Sequence, residues 1–246
     1  MTLVTTNWLK KNLFRVKIID CSWHMPNTNR SGAKEYKKKH IKNSIFFDLD
    51  KNSNKDTYLP HMLTDQKSWK KIISNMGIKN EDKIIIYDNS NVISSCRCWY
   101  NFIYFGHDPK LVSVLNGGLR KWKQESKKIS NEVVKFSKTN YEGKELISLV
   151  KDKYKIDLNI SEKEFVVVDA RSKERFEGKV PDPRKNVRSG SIPNSICLPF
   201  VEVINKDFSF KNIEELKNLF KNTFRNPKDK PVFSCGSGVT ACVLAL

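Results

Sequence analysis

The sequence predicts an α/β fold built from two tandem copies of one domain, and three observations predict it. Segments VKIIDCSW, HIKNSIFFDLD and KIIIYDNSN in the first half are answered in the same order by FVVVDARS, SIPNSICLPFV and KPVFSCGSG in the second. Asp20 then aligns with Asp169, Ile41 with Ile192 and Asp88 with Cys235, each at a separation of about 150 residues; ordered matches at near-constant spacing imply duplication. Within each copy, short β-branched runs alternate with stretches of helical period, the pattern of a mainly parallel sheet flanked by helices. A chain of 246 residues, 39% of them apolar, has the length and core material for two such domains.

In the first copy, VKIID, IFF, KIIIYD and VSVL read as strands, too short and too β-branched for helices. TDQKSWKKIISNMG reads as a helix with Thr64 as its cap, Trp69, Ile72, Ile73 and Met76 on one apolar face, and Gly77 as its stop. SSCRCWYNFIYFG reads as a second helix ending at Gly106. Residues 125–145 are polar with little period and read as a connection, which sets the domains at 1–124 and 146–246. In the second copy PVFS is a strand and VTACVLAL the start of a helix.

The net charge of +18 comes mostly from Lys scattered over polar faces. No aromatic platform alternates with Arg and no zinc-knuckle spacing occurs, so attraction for small anions is expected and specific nucleic-acid binding is not. No apolar run approaches the roughly 18 residues that cross a bilayer, and the opening residues lack a secretory pattern. The cysteines, at 21, 96, 98, 197, 235 and 242, show no CxxC pairing and no histidine at a zinc interval. They read as reduced thiols of a cytoplasmic protein, with a mitochondrial location also compatible; no metal and no cofactor are expected. Cys21, Cys98 and Cys197 read as small buried hydrophobes.

Cys235 differs, because CGSG turns the chain between a strand and a helix. Gly236 and Gly238 let backbone N–H groups turn toward one point, to which the helix start adds partial positive charge. A thiolate there is stabilised, so Cys235 reads as a nucleophile. The alternative is a cysteine that packs against the sheet while the glycines make a tight connection. Phosphatase chemistry needs an Arg at the sixth position after the cysteine, where this chain has Ala241. Cys242, about two helical turns on, reads as a core residue.

CGSGVT resembles the active loop of the 3-mercaptopyruvate sulfurtransferases, members of the two-domain rhodanese superfamily. The resemblance extends through FFDLD, YLPHML, CWYNFIYFGH, VLNGGLRKW, DARSKERFEG and PDPR. It implies two rhodanese-like domains with the active site between them, Cys235 on the second and Asp88 in its place on the first. The implied loop comprises Gly236, Ser237, Gly238, Val239 and Thr240. The implied reaction moves the sulfur of 3-mercaptopyruvate to Cys235 as a persulfide, releases pyruvate, and passes the sulfur to cyanide or a thiol acceptor such as thioredoxin or glutathione. Ser237, His61 and Asp48 would form the proton relay, and Arg175 and Arg184 would bind substrate, with Arg188 a further cation in that loop. Arg171 reads as half of a structural ion pair. The neutral Gly236–Ser237 step favours mercaptopyruvate over thiosulfate; a thiosulfate sulfurtransferase and a non-catalytic rhodanese-like binding module are the alternatives. The family continues past the active-site helix with a strand and a helix, so the second domain is expected to be incomplete at its carboxyl end.

Overall fold

A computed structural model of the chain describes every residue except 185, 186, 225 and 227. Five parallel strands form the first sheet: β1 (Leu3–Val4), β2 (Lys17–Asp20), β3 (Ser44–Phe46), β4 (Ile84–Tyr87) and β5 (Val112–Leu115), in the order β1-β5-β4-β2-β3. Helices α1 (Thr6–Asn12), α2 (Gly32–Lys38), α3 (Gln66–Asn75), α4 (Ser95–Tyr104) and α5 (Gly118–Gln124) connect and flank them. The second domain carries α6 (Lys153–Glu162), β6 (Val166–Asp169), α7 (Lys173–Phe176), β7 (Ile196–Cys197), α8 (Ile213–Thr223), β8 (Pro231–Ser234) and α9 (Ala241–Ala245), with sheet order β7-β6-β8.

The β-branched runs become strands because a parallel sheet covered on both faces buries every side chain and needs no polar alternation. All four residues of β4 are fully buried. Strand β1, only two residues long and paired with β5, was too short to register as a sequence signal. Helix α3 forms where expected, with Trp69 and Ile73 buried and Gly77 at φ +68° ending it. Its cap is Asp65, not Thr64: the Asp65 carboxylate accepts the Ser68 N–H at 2.9 Å, satisfying a donor that the first turn leaves open.

Segment 125–145 is more than a polar connection. Ser130 makes an antiparallel bridge to His40, and Tyr141 is fully buried in the core that holds Trp69, Phe102 and Phe105. The segment therefore straps the first domain before the chain enters the second.

The internal repeat appears as matching register. Asp20 lies opposite Tyr87 across β2 and β4, and Asp169 lies opposite Ser234 across β6 and β8. Asp88 and Cys235 thus leave their strands at the same place, the carboxyl ends of parallel strands, where open α/β sheets form ligand crevices. The domains interlock beside these turns. Val239 of the cysteine loop enters the first-domain core, while Ile93 and Cys96 of the first domain join Cys242, Val243 and Leu244 in the second.

Candidate active site

Strand β8 delivers Cys235 to the turn, and Gly238 shapes the loop around the sulfur. Gly238 has φ +73°, a left-handed conformation that favours glycine, and a Cβ there would meet Arg97 Nη1 at 2.8 Å. This conformation aims the Gly238 N–H at Cys235 Sγ, 3.1 Å away. The Gly238 carbonyl points the other way and accepts the Cys242 thiol at 2.9 Å. Cys242 is buried, as expected of a core residue, and burial pushes its thiol up to about 11. Gly236 does not share the left-handed conformation; its carbonyl accepts Arg184 Nη1 at 2.6 Å. Val239 is the buried anchor of the loop, worth about 1.5–3 kcal/mol of hydrophobic burial, and Thr240 leads into α9. Of the remaining thiols, Cys21 and Cys98 are buried as expected, whereas Cys197 is only half-buried.

Three guanidiniums gather beside the loop. Arg171 forks onto Asp169 (Nε 3.0 Å, Nη2 2.6 Å) and also reaches the Gly190 carbonyl, which is the structural pair expected. Arg175 donates to Asp182 at 2.6 Å, and Arg184 Nε donates to the same carboxylate at 3.0 Å. The Nη2 atoms of residues 175 and 184 lie 3.6 and 3.8 Å from where a Cβ on Gly236 would stand. Both cations therefore face the residue next to the thiol. Arg188 is exposed and takes no part in this cluster among the described residues.

On the first-domain side, the carboxylate that meets His61 is Asp50, which corrects the expected pairing with Asp48. His61 Nε2 lies 2.9 Å from Asp50 Oδ1, and the Trp23 indole N–H donates to the same carboxylate at 3.0 Å. The His61 bond lowers the Asp50 pKa. Asp48 instead accepts the Lys51 N–H at 3.1 Å and closes the turn that presents Asp50. The imidazole is buried, packs edge-on against Trp23 with ring centroids 4.7 Å apart, and has Nδ1 buried without a partner. With Nε2 on Asp50 and Nδ1 unpartnered, no hydrogen bond joins His61 to Ser237 among the described residues. The two domains are coupled here by Arg97, a buried residue of α4 that sequence reasoning passed over. It donates to the His61 carbonyl at 2.7 Å and approaches the Gly238 carbonyl at 3.5 Å.

No helix among the described residues is long and apolar enough to cross a membrane. A family model for the rhodanese-like domain matches residues 5–125 and 153–246. Thiosulfate/3-mercaptopyruvate sulfurtransferase 1, mitochondrial, of Arabidopsis thaliana is 37% identical over 99% of this chain and 70% of its own length. The 3-mercaptopyruvate sulfurtransferase of Mus musculus is 32% identical over 99% of this chain and 84% of its own. Among solved structures, the 3-mercaptopyruvate sulfurtransferase SseA from Escherichia coli superposes with a TM-score of 0.89 at 28% identity, covering 100% of this chain and 92% of that one. A duplicated parallel α/β domain, a cysteine on the strand-to-helix turn of the second copy and these likenesses lead to one conclusion: the chain belongs to the rhodanese family.

Proposed function

We propose that this chain is a sulfurtransferase that takes sulfur from 3-mercaptopyruvate onto Cys235. The observation that carries the reading is the convergence of the Arg175 and Arg184 guanidiniums beside Gly236, next to a sulfur that already receives the Gly238 N–H. Planar guanidiniums suit a carboxylate with an adjacent keto oxygen. The Cys235 thiolate attacks the substrate sulfur, an S–S bond forms, the C–S bond breaks, and its electron pair passes to carbon as the enolate of pyruvate. One proton completes pyruvate, and the persulfide remains on Cys235, its charge met by the amide that stabilises the thiolate. An acceptor thiolate then takes the outer sulfur and regenerates Cys235.

His61 is the group we assign to the proton. With its Nε2–H given to Asp50, Nδ1 holds a free lone pair that takes the substrate thiol proton through the Ser237 hydroxyl and returns it by the same route to the enolate carbon as the C–S bond breaks. A small thiol or a thioredoxin-like dithiol is the acceptor class. Free cysteines suit a reducing compartment, the cytoplasm or the mitochondrion for which the Arabidopsis relative is named.

Thiosulfate is the second donor to consider, because the Arabidopsis relative is named for both. The neutral Gly236–Ser237 step puts mercaptopyruvate first. Initial rates with each donor, cyanide as acceptor, test this: kcat/KM is expected to be higher for mercaptopyruvate, with pyruvate released in step with thiocyanate. A higher value for thiosulfate would overturn the donor assignment, and turnover that survives Cys235→Ser would overturn the mechanism.

A further inference from the structure

The Asp182 carboxylate has no place in sulfur transfer itself, yet it organises the cations of the site. Its side chain is 1% exposed. It accepts the Arg184 backbone N–H at 3.1 Å, Arg184 Nε at 3.0 Å and Arg175 Nη2 at 2.6 Å, with Arg171 Nη1 at 3.8 Å. Burial pushes the carboxyl up, but the bonds from Arg184 and Arg175 outweigh it and hold the group well below the usual carboxylate range. Asp182 is therefore ionised throughout the neutral range.

Electrostatics gives this carboxylate two roles. Guanidiniums this close repel unless a carboxylate lies between them, so Asp182 is what allows both Nη2 atoms to face Gly236. Asp182 also sets the charge: among the described residues of the cluster, and before the Cys235 sulfur is counted, Arg171, Arg175 and Arg184 against Asp169 and Asp182 leave one net positive charge, whereas without Asp182 there would be two. Meanwhile Arg175 Nε is buried without a hydrogen-bond partner among the described residues, a donor still lacking an acceptor there.

We infer that Asp182 determines anion specificity: it aligns Arg175 and Arg184 and trims the cluster to one net positive charge, so the site selects a singly charged α-keto carboxylate over a doubly charged sulfur oxyanion. The inference rests on the sulfurtransferase reading for what the anions are, but its test does not require turnover. Cys235 of the full chain is alkylated with uncharged iodoacetamide at fixed ionic strength, with increasing pyruvate or sulfate as protecting anion. The wild-type chain is expected to be protected by pyruvate at lower concentration than by sulfate. Asp182→Asn keeps the shape and an acceptor oxygen but removes the charge, and should shift the ratio of half-protecting concentrations toward sulfate by at least about tenfold. Asp182→Glu should retain the wild-type order, and Asp182→Ser gives a second neutral variant should the Asn form not fold. An unchanged ratio in the neutral variants, equal weakening of both anions, or no protection of the wild-type chain by either anion would overturn the inference. Failure of the wild-type chain to turn over mercaptopyruvate, with the anion order preserved, would instead sink the functional reading and leave the role of Asp182 standing.

Discussion

The turn after β4 and the turn after β8 occupy the same register in the two halves, yet they present different groups to different surroundings. After β4, Asp88 is 6% exposed and is held by the hydroxyls of Ser94 and Ser95 at 3.2 and 3.1 Å. After β8, Cys235 is half-buried and receives the Gly238 amide, and the Arg175 and Arg184 guanidiniums stand beside the next residue, Gly236. The neighbouring strands diverge in the same way. Asp169 is forked by Arg171, whereas Asp20, its counterpart, is buried and accepts the Ser22 hydroxyl and amide. One scaffold thus supports a buried polar knot in one copy and, in the other, a half-buried thiol with two guanidiniums beside the following residue. What separates them is solvent access, since the backbone path into the turn is shared, an amide reaches each group, and Arg120 lines the same small cavity as Asp88.

The largest effect expected from this comparison comes from moving the thiol. Asp88→Cys places a cysteine at the equivalent position but buried, where desolvation disfavours a thiolate and reagent access is closed, so it should alkylate at least about a hundredfold more slowly than Cys235. Comparable rates at the two positions, read by peptide mass spectrometry, would mean that the turn alone activates the sulfur.

The relay gives the next effect. Asp50→Asn should lower kcat by roughly ten- to hundredfold while Asp48→Asn stays within about twofold, because only Asp50 touches the imidazole. The reverse ranking would restore Asp48 to the relay.

The smallest effect concerns the buried knot. Burial pushes Asp20 and Asp88 up to about 6, from an ordinary value of 3.8. Groups raised in this direction contribute stability that is full below about pH 4 and is lost as pH rises through about 6. Urea unfolding of the wild-type chain and of Asp20→Asn or Asp88→Asn should therefore diverge between pH 4 and 7, each variant gaining about 1–3 kcal/mol on the wild type over that window. Parallel pH profiles would show that neither carboxylate is strained by burial.

Much of this architecture could be read from residues because buried parallel strands write themselves as β-branched runs and a duplicated domain repeats them in order. The cysteine turn was legible for a similar reason: glycine at 238 marks a backbone conformation that other residues rarely adopt. The features that escaped share a different physics. FFDLD offers two carboxylates two positions apart, and the hydrogen bonds from Trp23 and His61 that select Asp50 are long-range. Tyr141 sits in a polar segment whose only apolar duty is to fill the core beside Trp69. Arg97 acts across the domain interface on the His61 and Gly238 carbonyls, contacts that no local pattern encodes. Asp182 was visible in PDPR, but its grip on both Arg175 and Arg184 required the loop to fold back on α7.

The most direct test of sulfur transfer through Cys235 is a single exposure of the chain to mercaptopyruvate without acceptor, with intact-mass measurement and peptide mapping of the product. We expect one added sulfur, carried by the peptide containing Cys235 and discharged on adding cyanide. An unmodified Cys235 peptide, or sulfur spread evenly over the exposed thiols, would contradict transfer through this residue.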